Sequence, residues 1–532
     1  MSVEPLFPTV EQFDQRNKSR RNVVFLLLMV ALLIDFGAVA GLSYAAPKLP
    51  GAVLAGVGFV LFAVMTLPVI IWQHPMVGFY IIFTGAMLFE AIPINYLKVG
   101  VITSMVPFWF NLSSAGEMYG SHALSPIKFS LAEMIMVWTI FSWGIRAIAL
   151  REFKFEKGAF FNWMAAYLCC VVFGFVNGVG QGGDKTMALW EVRPQFYILF
   201  AYLMTVNMIK ERSQVWKMLW ITVICVGIKA FVGISVYIGL KGDISDQGIL
   251  GHEESLFFNL LFFIVIVGGL IKLDRRMVIA GTLLMPFVLF SDLENQRRAG
   301  IAAFVVAFMP VPLLLMKAIP ERRLQVKKFL VSVVVIMAIY LPIAWNSDGV
   351  WALPARAIKS QTSPDDRDAS SDYYRLVENT DLKFTRDQSP LLGYGYGRPF
   401  IQIVPLIKLS TDFLDYLPHN SVLWIWMRLG HVGFFCFLML LTTICVRGAQ
   451  IVRDTPDRML QLAGLLGIMA MLMLFIYGKY DLQLTNYRTV VMTSIFIGIL
   501  GVLPRLAPPI EPPEELEPGA GKTPNLEPAS MF

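Results

Sequence analysis

The sequence predicts an all-α polytopic membrane protein with about fourteen transmembrane helices and one large periplasmic loop. Three observations predict it: long apolar blocks, cationic clusters on alternate connections, and one long polar interruption in the C-terminal half. The chain is 56% hydrophobic and 15% charged, whereas an average soluble domain is about 25% charged. Crossing the hydrocarbon core takes about 20 mostly apolar residues. A helix satisfies its own backbone hydrogen bonds there, which lipid cannot do.

The apolar blocks fall at 22–46, 51–72, 75–97, 128–149, 158–179, 189–209, 216–239, 255–271, 277–291, 300–318, 329–346, 420–445, 461–479 and 486–504. The first block is too long for a signal-peptide core and lacks a small-residue cleavage site, so it is expected to remain as a span. Residues 1–21 carry Arg16, Lys18, Arg20 and Arg21 and are assigned to the cytoplasm. Counting alternate connections then puts five further cationic clusters on the same side. These are Arg146/Arg151/Lys154/Lys157, Lys210/Arg212/Lys217, Lys272/Arg275/Arg276, Lys317/Arg322/Arg323/Lys327/Lys328 and Arg447/Arg453/Arg458. A wrong helix count would scatter them.

The expected organisation is a cytoplasmic N-terminus (1–21), helices 1–11 (22–346), the large periplasmic loop (347–419), helices 12–14 (420–504) and a cytoplasmic tail (505–532). The tail is rich in Pro and Glu and reads as disordered. Segment 347–419 is long for a loop. Its aromatic residues Trp351, Tyr373, Tyr374, Phe384, Tyr394, Tyr396 and Phe400 equip it to fold over the membrane surface. The net charge of +6 invites a nucleic-acid partner. The clustering of Lys and Arg between apolar blocks excludes that reading, because such clusters set topology. Cys169, Cys170, Cys225, Cys436 and Cys445 all fall in apolar blocks without metal-ligand spacing, so they read as small buried hydrophobes. No metal site or cofactor is expected.

The candidate functional residues lie on the outer side of this topology. Among five histidines, His419 alone stands at the outer mouth of a helix with an amide, Asn420, beside it. An imidazole there can take a proton from a hydroxyl near neutral pH; the alternative is an interfacial cap. In the short loop 292–299, Arg297 and Arg298 stand on the non-cytoplasmic side, against the usual bias, and a helix opens directly after them. The guanidinium fork matches phosphate oxygens, and a helix start adds a field favourable to anions; the alternative is an arginine that snorkels to the interface. Lys229 lies well inside a span, where a charge faces a cavity or a partner. Asp35 and Glu90 are also intramembrane, and Glu191 and Arg193 can pair locally. The run Gly393-Tyr394-Gly395-Tyr396-Gly397 lacks the βαβ setting of a dinucleotide loop and reads as a tight turn.

With these residues in view, the chain resembles the superfamily of O-antigen ligases and O-antigen/exopolysaccharide polymerases of the bacterial inner membrane. Arg298-Ala299-Gly300 opens a helix in the family manner. Arg375 followed by Pro390-Leu391-Leu392-Gly393-Tyr394-Gly395 resembles its arginine and glycine turn. His419-Asn420 followed by Leu429-Gly430-His431-Val432-Gly433 resembles its histidine-asparagine and glycine step. The likeness covers mainly 250–445. The sequence departs from the pattern at Arg297, where the family often has serine. It departs again at Leu376-Val377-Glu378, where a tryptophan is common, and at His252-Glu253-Glu254-Ser255, where an Asn-rich stretch is common.

The resemblance implies a GT-C-like membrane glycosyltransferase, multi-pass in the inner membrane with both termini cytoplasmic. Its implied activity moves a glycan from a polyprenyl (undecaprenyl) diphosphate to an acceptor hydroxyl without metal or nucleotide, inverting the anomeric carbon. His419, Arg298 and Arg375 are then the catalytic candidates. Lys229, Arg297, Asn420, Tyr394, Tyr396 and Arg193 are the substrate-binding candidates. The implied partners are the lipid-linked donor, a glycan or lipid acceptor, membrane lipid and other polysaccharide-assembly proteins, with no nucleic acid. A transporter or flippase of lipid-linked oligosaccharide, using Asp35, Glu90 and Lys229, is the competing class, and a non-catalytic scaffold is the third. Polymerase is slightly preferred to ligase, since no acceptor-specific feature is visible.

Overall fold

A computed structural model describes residues 29–30, 34–35, 63, 65–91, 101–104, 106–114, 128–151, 153–244, 248–347, 349–359, 363, 366–406 and 415–507. Most of the expected first span, the N-terminus and the tail from 508 therefore lie outside the described residues. Among the described residues the regular structure is helical, with one isolated bridge between Asn111 and Ser130. The helices are α1 (Met65–Gln73), α2 (Pro75–Leu88), α3 (Leu131–Ala149), α4 (Phe161–Gly180), α5 (Lys185–Met208) and α6 (Arg212–Gly239). There follow α7 (Glu254–Ile271), α8 (Arg275–Glu294), α9 (Arg298–Phe308), α10 (Pro310–Ala318), α11 (Arg323–Ala344) and α12 (Leu353–Lys359). The last four are α13 (Asp366–Asp387), α14 (Ser421–Asp454), α15 (Arg458–Tyr477) and α16 (Tyr487–Leu506).

Ten described helices are long and apolar enough to cross a membrane, or up to eleven if the pair α1–α2, bent by 120° at His74, is one span. The chain is a multi-pass membrane protein. The expectation of about fourteen spans differs for definite reasons. The block 22–46 falls mostly on residues outside those described. Helix α2 ends at Leu88, where Phe89 turns extended. Helix α5 carries Lys185, Glu191 and Arg193 and so is less apolar, although much of it is buried. Pro310, which lacks a backbone N–H, divides the block 300–318 into α9 and α10, which together remain long and apolar enough for one span.

The cationic connections do gather at one end. Arg146 donates to the carbonyls of Trp72 (2.9 Å) and Gln73 (2.5 Å). Arg505 pairs with Glu156 at 3.7 Å, and Arg212 with Asp457 at 2.6 Å. Arg458 reaches Glu321 and the Ile271 carbonyl, each at 3.3 Å. These contacts tie six connections into one basic rim.

The centre of the bundle is α15 and α16, 83% and 78% buried along their apolar windows; α11, at 6%, lies on the rim. Small residues set this closeness, as expected where helices pack without a hydrophobic driving force. Gly467 of α15 lies against the Phe496 backbone, and Gly498 of α16 against Thr205 of α5. Of the cysteines, Cys225 is buried, whereas Cys169 faces outward, contrary to the reading of all five as buried.

Much of the described part of the segment expected as a large loop is helical. Helix α13 turns one face inward, burying Val377, Glu378, Asp381, Leu382 and Thr385 at helical spacing. Asp381 accepts from the N–H groups of Ile403 (3.0 Å) and Val404 (3.1 Å), and Thr385 from Ile401 (2.8 Å). Residues 390–397 form a strap that enters a break in α14. Gly430 there is non-helical (φ 64°, ψ −167°). The freed carbonyls of Met427 and Arg428 accept from Tyr394 (2.8 Å) and Gly395 (3.1 Å). His431 donates its backbone N–H to Pro390 at 2.8 Å, and Tyr396 donates to Gly174 of α4 at 3.1 Å. The Gly-x-Gly-x-Gly run is thus a wedge between helices. Gly393, Gly395 and Gly397 all take φ near +80° (86°, 82° and 78°), which suits glycine alone.

A Cβ at Gly393 would overlap the Arg428 carbonyl oxygen. Gly393→Ala is therefore expected to destabilise the chain by about 2 kcal/mol or more through clash and backbone strain. A lower thermal midpoint in detergent, against no such loss for an alanine at the exposed helical Gly180, where a Cβ meets nothing, is the check.

Candidate active site

The end opposite the basic rim is rich in charged side chains, and their burial separates supports from reagents. His419 precedes α14 and is 24% exposed at its side chain. Its Nδ1 lies 3.1 Å from Glu378 Oε1, and its backbone N–H donates to Glu378 Oε2 at 3.1 Å. Glu378 stands on the inward face of α13, one turn beyond Arg375, so one helix supplies both. Tyr374 stacks edge-on against the His419 ring at 5.6 Å. Burial and the charges of Glu378 and Asp415 push the Tyr374 hydroxyl up to about 12, so it remains a neutral phenol. Burial alone would lower the His419 pKa. The hydrogen bond and charge of Glu378, with Asp481, outweigh it and raise the value, and the Arg375 charge opposes them. Arg375 therefore sits within electrostatic reach of His419.

Asp481, in the α15–α16 connection, stands between two histidines. Its Oδ2 lies 3.0 Å from His252 Nδ1, and Leu482 N–H donates to its other oxygen at 2.8 Å. Burial would raise its pKa, but His252, this backbone bond and the His419 charge hold the carboxyl well below the usual range. Ser421 Oγ donates to the Gly478 carbonyl (2.8 Å) and lies 3.0 Å from that of Asp481, fixing the connection against the start of α14. On the far side, Tyr477 Oη donates to the His252 carbonyl at 2.7 Å, and the Arg297 charge acts on the same phenol. Arg298, half-buried, opens α9 one residue later. The order across this end is thus Arg375 and His419, then Asp481, then His252, Tyr477 and Arg297.

Three sequence candidates turn out to be internal supports. Lys229 is fully buried, paired with Glu90 and, at 3.0 Å, with Glu254, so its charge is already met within the protein. Arg193 pairs with Glu133 and donates to Asn111 at 2.7 Å, rather than meeting Glu191 or a substrate. Tyr396 is wholly buried, packed on Trp424 at 5.7 Å. Tyr394 is half-buried and carries the Arg398 guanidinium 3.7 Å over its ring. Asn420 caps α14, accepting from Leu423 N–H at 3.0 Å and donating to Asn379 at 2.8 Å. Glu191 pairs instead with Arg428, at 2.5 Å.

Glu378, Asp481 and His252 escaped the sequence reading. For Glu378 a signal was present: it follows Arg375 by three residues on a helix. Two cavities, of about 520 and 850 Å³, open elsewhere, at the basic rim, lined by Arg146, Lys154 and Arg505 in one and Arg212, Lys272 and Arg458 in the other. The chemistry argues for the opposite end, because the rim arginines Arg146, Arg212, Arg458 and Arg505 are engaged by carbonyls and carboxylates while His419 pairs with a carboxylate beside a guanidinium.

Residues 280–438 match a family model described as O-Antigen ligase. The matched stretch contains Arg297, Arg298, Arg375, Glu378 and His419. The resemblance to the O-antigen ligase/polymerase family therefore holds over the segment that carries these five residues, with His252 and Asp481 outside it. No curated protein matches the chain.

Removing Lys229 leaves Glu90 and Glu254 buried without this cation. Lys229→Ala is expected to cost about 3–5 kcal/mol, seen as loss of monodisperse protein, and Lys229→Met with Glu90→Gln to recover much of it. The raised His419 value adds stability that is fully present below the ordinary histidine value and lost as pH rises through the raised one. The thermal midpoint should therefore fall from mildly acid to mildly alkaline pH, and His419→Gln should flatten that slope. The Asp481 contribution, from a depressed carboxyl, is present above the ordinary aspartate value and disappears only in strong acid.

Proposed function

We propose that the chain transfers a glycan from a polyprenyl (undecaprenyl) diphosphate to an acceptor hydroxyl, on the periplasmic side of a bacterial inner membrane, in surface-polysaccharide assembly. Both termini are cytoplasmic in this reading, so the basic rim faces the cytoplasm. The observation that carries it is the His419–Glu378 pair beside Arg375, within the stretch that matches the O-antigen ligase model.

The chemistry follows from the tautomer. With Nδ1–H donated to Glu378, His419 keeps a lone pair on Nε2. That nitrogen takes the proton of the acceptor hydroxyl as the oxygen attacks the anomeric carbon. The carbon–oxygen bond to the diphosphate breaks, its electron pair leaves with the diphosphate, and the anomeric configuration inverts. Glu378 orients the ring and stabilises the imidazolium that forms, as the buried carboxylate of a catalytic triad does. Arg375, with Arg298 and Arg297, meets the charge that develops on the leaving group. The helical layer of α13 over this end limits water.

The flippase reading drew on Asp35, Glu90 and Lys229 as coupling charges, the last two of which are an ion pair. Their mutual pairing and the further tie to Glu254 give it less support. Polymerase and ligase differ only in the acceptor, a growing glycan or a lipid core.

Purified full-length chain, given a synthetic polyprenyl diphosphate glycan with and without EDTA, should release polyprenyl diphosphate only when an acceptor is present. His419→Ala and Arg375→Ala should each slow release by roughly 100-fold or more while remaining folded. Wild-type rates in both variants would sink the proposal.

A further inference from the structure

We propose that His252 is a donor-side residue of this site: its Nε2–H hydrogen-bonds an oxygen of the lipid diphosphate, beside Arg297 and Arg298, and Asp481 positions it. This rests on the glycan-transfer reading and assigns the diphosphate subsite within it.

Register brings His252 and Arg297 together. Helices α7 and α9 start side by side: Gly300 lies against the Ser255 side chain, and Asn259 Nδ2 donates to the Gly300 carbonyl at 3.0 Å. Three residues back from Ser255 is His252, and three back from Gly300 is Arg297. Tyr477 joins the two, donating to the His252 carbonyl while the Arg297 charge reaches its ring. Both helices begin at this point, so both dipoles favour an anion there.

The orientation of the ring selects the atom that is offered. Asp481 engages Nδ1 at 3.0 Å, and is itself held by Leu482 N–H at 2.8 Å and by Gln483 Nε2 at 3.2 Å. That leaves Nε2 as the one ring nitrogen open to a ligand, on a side chain that is 44% exposed. In the imidazolium both nitrogens donate, one to Asp481 and the other to phosphate oxygen. Of the adjacent carboxylates, Glu253 and Glu254 are paired with Arg488 at 2.9 and 2.5 Å, and Asp292 is buried. His419 lies across Asp481, on its own carboxylate and beside Arg375. The two imidazoles thus divide the work, one toward the acceptor proton and one toward the leaving group.

The test uses the full chain in nanodiscs and a fluorescent polyprenyl diphosphate, with the monophosphate as comparison. His252→Ala should weaken diphosphate binding about tenfold, the size of one charge-assisted hydrogen bond. His252→Gln, which keeps an N–H donor, should recover most of it and controls for folding. His419→Ala should bind the lipid normally and fail in transfer. Unchanged binding in His252→Ala overturns this inference, and so does a loss of transfer rate with binding intact, which would make His252 a proton carrier. No binding of the diphosphate by the wild type, together with normal transfer by His419→Ala, overturns the glycan-transfer reading as well.

Discussion

The candidate site depends on one buried ion pair, Arg428 with Glu191. Both side chains are almost wholly excluded from solvent. A charge in such a place costs several kcal/mol unless it is paired and its remaining donors are satisfied. Arg428 donates to the carbonyls of Gly395 (2.9 Å), Arg398 (2.6 Å) and Tyr416 (3.0 Å) as well, and Glu191 accepts from Gly397 and Trp424. The pair therefore has its low-energy form only when the strap is seated in the break of α14. Seating the strap brings α13 down onto α14, and that in turn delivers Arg375 and Glu378 to His419. A long-range electrostatic constraint in the bundle thus sets the geometry of the His419–Glu378 pair above it.

A second set of buried charges ties the neighbouring helices at the same level. Arg488 donates to the Ala86 carbonyl (3.0 Å), pairs with Glu253 and Glu254, and lies 4.7 Å over the Phe257 ring. Lys229 shares Glu254 and adds Glu90. Helices α2, α6, α7 and α16 are stitched by these contacts. The same residue types that signal catalysis in a membrane sequence serve here as fasteners. What separates the classes is saturation: Lys229, Arg193 and Arg428 have carboxylate partners and little exposure, whereas His252 and His419 each keep one ring nitrogen beyond their carboxylate.

The helical character of the chain was legible because hydropathy over about 20 residues is a local property. The common side of the cationic clusters was legible because topology is written in the short connections themselves. His419 stood out because a titratable group at a helix mouth is unusual in so apolar a chain, whereas Arg375 was singled out only by the family resemblance. The partners were not legible. Glu90 is 139 residues from Lys229, His252 is 229 from Asp481, and Glu191 is 233 from Trp424. Nothing in local spacing says which of several buried charges will meet. The break at Gly430 was hidden for the same reason: a glycine in an apolar helix is ordinary, and only the strap arriving from residues 390–397 turns it into an opening. That Lys229, Arg193 and Tyr396 meet neighbouring side chains was not legible either, because a place inside the membrane does not say whether a residue faces a ligand or a neighbour.

The most enclosed helices, α15 and α16, follow every other described helix along the chain. The inner faces of α2, α5, α7 and α14 pack against these two helices, so they lack those neighbours until the two are in place. Arg488 comes in with α16, after its acidic partners at the start of α7. Closing the bundle therefore also supplies the cation that Glu253 pairs with, and adds a second to Glu254, which Lys229 already engages. A chain cut before residue 458 would leave Glu253 without Arg488 and the bundle without its most enclosed helices.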